Sequence, residues 1–157
     1  MPRIADRLLE LGITLPKPMA ATGVPFVFVR VVDDRAYVAG HVPTDDDGRI
    51  ATPIGKVGGL VTLADGQAAA RRCALGMLAS LHQALGDLDR ITHWLKLFGM
   101  VNVAPGFRQI PPVINGASNL IIDVFGHDIG AHSRSAVGVA ELPFGVPVEI
   151  EAEVAIR

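Results

Sequence analysis

One cysteine, one tryptophan and one tyrosine are all that the 157 residues contain of those types, and each scarcity removes a class of protein. Cys73 alone closes no internal disulfide and builds no paired-cysteine zinc or redox motif. Aromatic residues make up 5% of the chain, too few for the stacked platforms that hold single-stranded nucleic acid. Cations do not outnumber anions: 14 Lys and Arg stand against 16 Asp and Glu, for a formal charge of −2. The basic residues are scattered, so no track is ready to neutralise a row of phosphates, and nucleic acid is not expected as a partner. No apolar run approaches the ~18 residues of a membrane span, and no signal-peptide pattern appears. A cytoplasmic protein off the membrane is therefore expected. Glycine-rich phosphate loops and His-Glu-x-x-His are missing, so nucleotide and zinc signatures are absent. The acidic stretch TDDDGR (44–49) lacks the spaced ligands and closing glutamate of a calcium loop and reads as a solvated turn.

What remains is a chain half of whose residues are hydrophobic, enough for one core, and residues 1–157 are read as a single domain. RIADRLLELG (3–12) has helical spacing and a terminal glycine. The stretches 24–32 and 35–42 are rich in β-branched and aromatic residues and flank Asp33–Asp34, which predicts a hairpin. Thr62 and Asp65 form a capping-box start for a long helix whose Leu75, Leu78, Leu81 and Leu85 recur at three- and four-residue steps before Gly86. Ala68–Ala70 and Ala74 let that helix lie close to a sheet, with Cys73 buried and inert on its inner stripe. Apolar residues alternate through 91–103, the period of a strand, and a loop over 104–112 leads to a second helix closed by Gly126. The order predicts an α+β domain, an antiparallel or mixed sheet with its helices on one face.

The histidines at 41, 82, 93, 127 and 132 have no ligand spacing, and His127 and His132 read as a solvated loop pair. Ser118 in GASN (116–119) lies inside the predicted helix and does not match a nucleophile elbow, so it is set aside.

The closing stretch HSRSAVGVAELPFGVPVEIEAEV (132–154) reads as a hairpin turning at Phe144–Gly145. On its second strand Val148, Ile150, Ala152, Val154 and Ile156 face one way and Glu149, Glu151 and Glu153 the other. On its first, Arg134 shares a face with Ala136, Gly138 and Ala140, a cation above small side chains with space for a ligand. A guanidinium fork suits the carboxylate of a small organic acid. Hairpin register separates Arg134 from Glu149 by about six residues, or ~20 Å at ~3.3 Å per residue. Either the two are unrelated, or a symmetric oligomer joins them.

RSAVGVAELPFGVPVEIEAEV closely resembles the C-terminal signature of the Rid family (reactive intermediate deaminase, also YjgF or L-PSP endoribonuclease-like): Arg-Ser-x-Val, Leu-Pro, Glu-Ile-Glu-Ala. YVAGHVP (37–43), the GQAAARRCALGMLASLHQALG helix and VINGASNLIIDVFG extend the resemblance over most of the chain, closest to the chorismate mutase-like subgroup. It implies a chorismate-mutase-like fold with a mixed sheet and helices on one face, assembled as a homotrimer with clefts between subunits. It also implies cofactor-free hydrolysis of 2-imino or enamino acids to 2-oxo acids and ammonia. By similarity Arg134 grips the substrate carboxylate, Glu149 places the water, and Asn115, Gly40, Phe26 and Ala136 line the cleft. Phe26 and Ala136 stand where classical deaminases carry Tyr and Cys, and the link from Asn115 to Arg134 is longer. The alternative is a non-catalytic trimer that binds small carboxylates or other metabolites. An endoribonuclease ranks below both, and chorismate mutase activity lower still, since that name refers to shape.

Overall fold

The computed structural model describes residues 3–157. Helix α1 (Ile4–Glu10) precedes strands β1 (Val29–Val32) and β2 (Arg35–His41), the long helix α2 (Leu63–Leu85), strand β3 (Ile91–Asn102), helix α3 (Ile110–Gly130), and strands β4 (Ser133–Val139) and β5 (Val148–Ile156). The Thr62 hydroxyl accepts from the Asp65 amide and the Asp65 carboxylate answers at the Thr62 amide, so the predicted capping box opens α2. Gly86 closes it in the left-handed region at φ 78°. Helix α3 begins earlier than the sequence predicts, because Pro111 and Pro112 occupy its first turn, where a missing N–H costs nothing. Gly126 interrupts it at φ 73° before a final turn to Gly130.

The five strands run in the order β1-β2-β5-β3-β4. β1 and β2 form the expected hairpin over Asp33, although β1 is shorter than predicted. The closing pair is different: β4 and β5 do not pair with each other. β4 runs parallel to β3, and β5 lies antiparallel between β2 and β3. The physical reason is in the chain order, since β3, α3 and β4 form a strand-helix-strand crossover that lays β4 beside β3 in parallel. The Phe144–Gly145 turn exists, with both residues at positive φ, but it carries the chain past the end of β3 instead of folding β5 back on β4.

Both long helices cover one face. The alternation predicted for β5 holds: Val148, Ile150, Ala152, Val154 and Ile156 are buried beneath them. Small residues set the approach distance. A methyl on Gly116 of α3 would strike the Gln67 carbonyl of α2, and one on Gly99 of β3 would meet Ile114 at 2.6 Å. Cys73 is fully buried, as predicted.

His41 is buried on the helix side, its Nδ1 2.7 Å from the Ala39 carbonyl and its Nε2 2.8 Å from the Ser80 hydroxyl. Desolvation lowers its pKa from 6.5 to about 4, against the opposing pull of that carbonyl. The unfolded chain therefore binds a proton that the native protein refuses, and stability falls as pH drops from 6.5 toward 4. The expected loss is about 3 kcal/mol, read by urea unfolding across that range. His41→Leu should lack that slope, and a flat wild-type profile would contradict the assignment.

Candidate functional site

Five of the six residues singled out from sequence fall into two groups on opposite faces of the sheet, Arg134, Asn115 and Ala136 on one and Glu149 and Gly40 on the other, and Phe26 precedes β1. Arg134 pairs in register with Leu97 of β3, which is fully buried under the helices, so its side chain rises on the helix side. There Nη1 donates to the Asn115 side-chain oxygen at 2.9 Å and to the Ser118 hydroxyl at 3.0 Å, and Nη2 donates to the Pro111 carbonyl at 3.4 Å. Asn115 and Ser118 sit three residues apart on α3, on one helix face. These bonds use both protons of Nη1 and one of Nη2. The side-on edge, Nε–H with the second Nη2–H, is left for a planar acid.

The expected floor of small side chains beneath Arg134 is not open. Methyls on Gly138 would meet Ile110 at 2.9 Å and Val103 at 3.0 Å, and Ala136 packs against the core. The small residues of β4 admit α3, and the part of Arg134 left unspent is its outer edge.

Glu149 lies on the uncovered face. It is half-buried, and its carboxyl is raised above its usual 4.5 by desolvation first and by neighbouring Glu151 second. Its pocket wall is Gly40. Between Val38 and His41, β2 carries one extra residue relative to β5. This bulge turns His41 inward and aims the Cα hydrogen of Gly40 at the glutamate. A methyl on Gly40 would overlap Oε1 of Glu149. Gly40 has no positive φ, so glycine is required there for space. Phe26, half-exposed, is not brought to Glu149: its edge-to-face rings, Phe26 to Phe28 at 5.3 Å and Phe28 to His41 at 5.2 Å, lead to the helix side.

The structure thus brings Asn115 to Arg134 and Gly40 to Glu149, but does not bring Arg134 to Glu149. Glu149 aligns with Met100, and Met100 with Val137, so the two are offset by two strands and three residues. That is ~14 Å between backbones, shorter than hairpin register implies, with side chains on opposite faces. Sequence reasoning missed Ser118 and the Pro111 carbonyl. The three-residue step from Asn115 to Ser118 was the available signal. Among the described residues, no three His, Cys, Asp or Glu side chains gather as a metal site, and no helix is long and apolar enough to cross a membrane.

Residues 5–146 match the family model described as "YjgF/chorismate mutase-like, putative endoribonuclease". Protein TCP17 of Trypanosoma cruzi is 44% identical over 155 residues, covering 99% of this chain and 95% of that protein. The crystal structure of Atu1372 from Agrobacterium tumefaciens, described as of unknown function, is 44% identical. It superposes with a TM-score of 0.89 over 98% of this chain and 92% of that one. A Shewanella oneidensis structure carrying the same endoribonuclease description is 28% identical, with a TM-score of 0.91 over 99% and 100%.

Proposed function

Because the chain belongs to the YjgF/chorismate mutase-like family, we propose that it is a cofactor-free hydrolase of small 2-imino or enamino acids, acting at clefts between the subunits of a homotrimer. The observation that carries this reading is the split of the site into two half-sites. Arg134 is held by Asn115 and Ser118 with one edge unspent, while Glu149 faces the other way against Gly40. A two-fold contact pairs one patch with itself, and these half-sites cannot share a patch. A head-to-tail ring pairs different surfaces and closes. The uncovered sheet face supports this. Tyr37 and Val137 are exposed there, and a groove of about 590 Å³ runs past Tyr37, Phe98, Glu151 and Glu153.

In the cleft the substrate carboxylate lies along the Nε–Nη2 edge of Arg134. The neighbour's Glu149 takes a proton from water as the oxygen bonds to the imine carbon, and the C=N pair goes to nitrogen. Glu149 then returns that proton to nitrogen, giving the carbinolamine; it takes the hydroxyl proton as the C=O bond forms and passes it to nitrogen as the C–N bond breaks, and ammonia and the 2-oxo acid leave. A carboxyl raised by a partly desolvated setting suits both transfers. The test is release of 2-oxo acid from 2-iminobutanoate generated in situ, with Arg134→Ala as control.

Ala136 and Phe26 in place of Cys and Tyr favour a second reading, a non-catalytic binder of small carboxylates. No turnover above background, with 2-oxo acid binding that requires Arg134, would select it. RNA cleavage gains nothing from the surface. Arg3, Arg7, Arg35, Arg49, Arg72 and Lys56 are each engaged with a carboxylate, and the chain's 14 cations are outnumbered by 16 anions.

Gly40→Ala isolates the glutamate half-site. Only the far end of a flexible side chain must yield, so the melting temperature should stay close to wild type. The displaced carboxylate should lower kcat by about ten- to a hundredfold, measured in the same assay.

A further inference from the structure

His132 lies between α3 and β4, on the link that is longer than in classical deaminases. Its Nδ1 is 2.7 Å from the Gly130 carbonyl and its Nε2 is 3.0 Å from the Ser118 hydroxyl. A carbonyl only accepts, so the ring proton is on Nδ1. Burial, partly opposed by the Gly130 carbonyl, and the nearby Arg134 charge keep the ring below its usual 6.5 and neutral. A neutral ring with its proton on Nδ1 offers a bare lone pair at Nε2. The Ser118 proton must point there, and the Ser118 oxygen is left solely as an acceptor toward Arg134, 3.0 Å away. Every bond then runs in one direction: Arg134 donates to Ser118, Ser118 to His132, and His132 to Gly130. In such a chain each bond strengthens the next, and no member can reverse alone.

We propose that Ser118 and His132 are positioning residues that lock the Nη1 end of Arg134, so that its Nε–Nη2 edge is presented to the carboxylate of the substrate. This rests on the reading of Arg134 as the carboxylate anchor. It assigns His132 the role of an acceptor, with no proton to give to the reaction. A loose guanidinium must be ordered when substrate binds, at the expense of affinity. A locked one is already aligned.

The test joins spectroscopy, which needs no substrate, to kinetics. In the whole protein, 15N spectra should show His132 protonated at Nδ1 with an accepting Nε2, and Arg134 with slowly rotating, resolved Nη protons. Ser118→Ala should shift the Nε2 signal and merge the Nη protons. Ser118→Ala and His132→Phe should each raise KM for 2-iminobutanoate about tenfold with kcat within about twofold. Ser118→Thr, which keeps the hydroxyl, should recover most of the loss. A proton on Nε2, or Arg134 signals indifferent to Ser118→Ala, would overturn the relay whatever the enzyme does. KM unmoved by both variants while Arg134→Ala raises it would overturn the link to binding. If wild type neither turns over nor binds 2-oxo acid, the functional reading fails, and the spectra still decide the relay.

Discussion

Arg134→Lys is expected to lower kcat/KM for a 2-imino acid by about 10²–10³-fold, and Arg134→Ala by at least as much. Two charge-assisted hydrogen bonds to a carboxylate, each worth about 1.5–3 kcal/mol, set that scale. Lysine keeps the charge and fails for geometric reasons. It cannot donate to Asn115 and Ser118 on one side while offering a coplanar pair of protons on the other. The loss should fall mainly on KM for lysine, where the charge survives, and on both parameters for alanine. The fold should survive either change, because Arg134 is partly exposed on the edge strand and lies outside the hydrophobic core. Steady-state kinetics beside a melting curve checks this. Activity within a few-fold of wild type in Arg134→Lys would show that a point charge suffices and that the fork is idle.

Glu149→Gln is expected to remove about 10²–10⁴-fold from kcat, the range associated with a general acid-base group, and to change KM little. The amide keeps the shape and the packing against Gly40 but can neither take nor return a proton. In wild type the reaction needs the carboxylate. The rate should fall as pH drops through the Glu149 pKa, which lies above 4.5 in the protomer because of burial and Glu151. That acid limb should be missing from the residual activity of the glutamine variant. Stability carries the opposite sign. A carboxyl raised on folding makes the native state bind protons more readily than the unfolded one, so it subtracts stability as pH rises from 4.5 through its raised value. Glu149→Gln should therefore melt no lower than wild type at neutral pH. A marked loss of melting temperature would mean that Glu149 holds the fold and that its effect on rate is indirect.

The elements with local signals were legible in the sequence. The Thr62–Asp65 box, the leucine steps of α2, the glycines at 86 and 126 and the period-two burial of β5 all reflect contacts within a few residues or a uniform face. Strand pairing was not local. β5 finds β2 and β3 across long separations, and a Pro/Gly turn looks the same whether it closes a hairpin or arches over a neighbouring strand. The order β3, α3, β4 did carry the parallel pairing, and it outweighs the turn. The half-sites were legible as residue types, an arginine among small residues and a glutamate on an alternating strand. Their arrangement was not, since the faces of β4 and β5 are related only once both have been placed against β3. The small residues around Arg134 show the same limit: composition marks a close approach but not whether a ligand or a helix makes it.

The central claim is that each site takes its arginine from one protomer and its glutamate from the next, and subunit mixing tests it most directly. Arg134→Ala and Glu149→Gln chains, each inactive alone, are unfolded together in equal amounts and refolded. In every mixed three-membered ring, one contact of three joins an intact Arg134 to an intact Glu149. Random mixing should therefore restore about a quarter of wild-type activity. Activity that stays at the level of the separate variants, in rings shown to be mixed, would place both groups in one protomer's site and contradict the account.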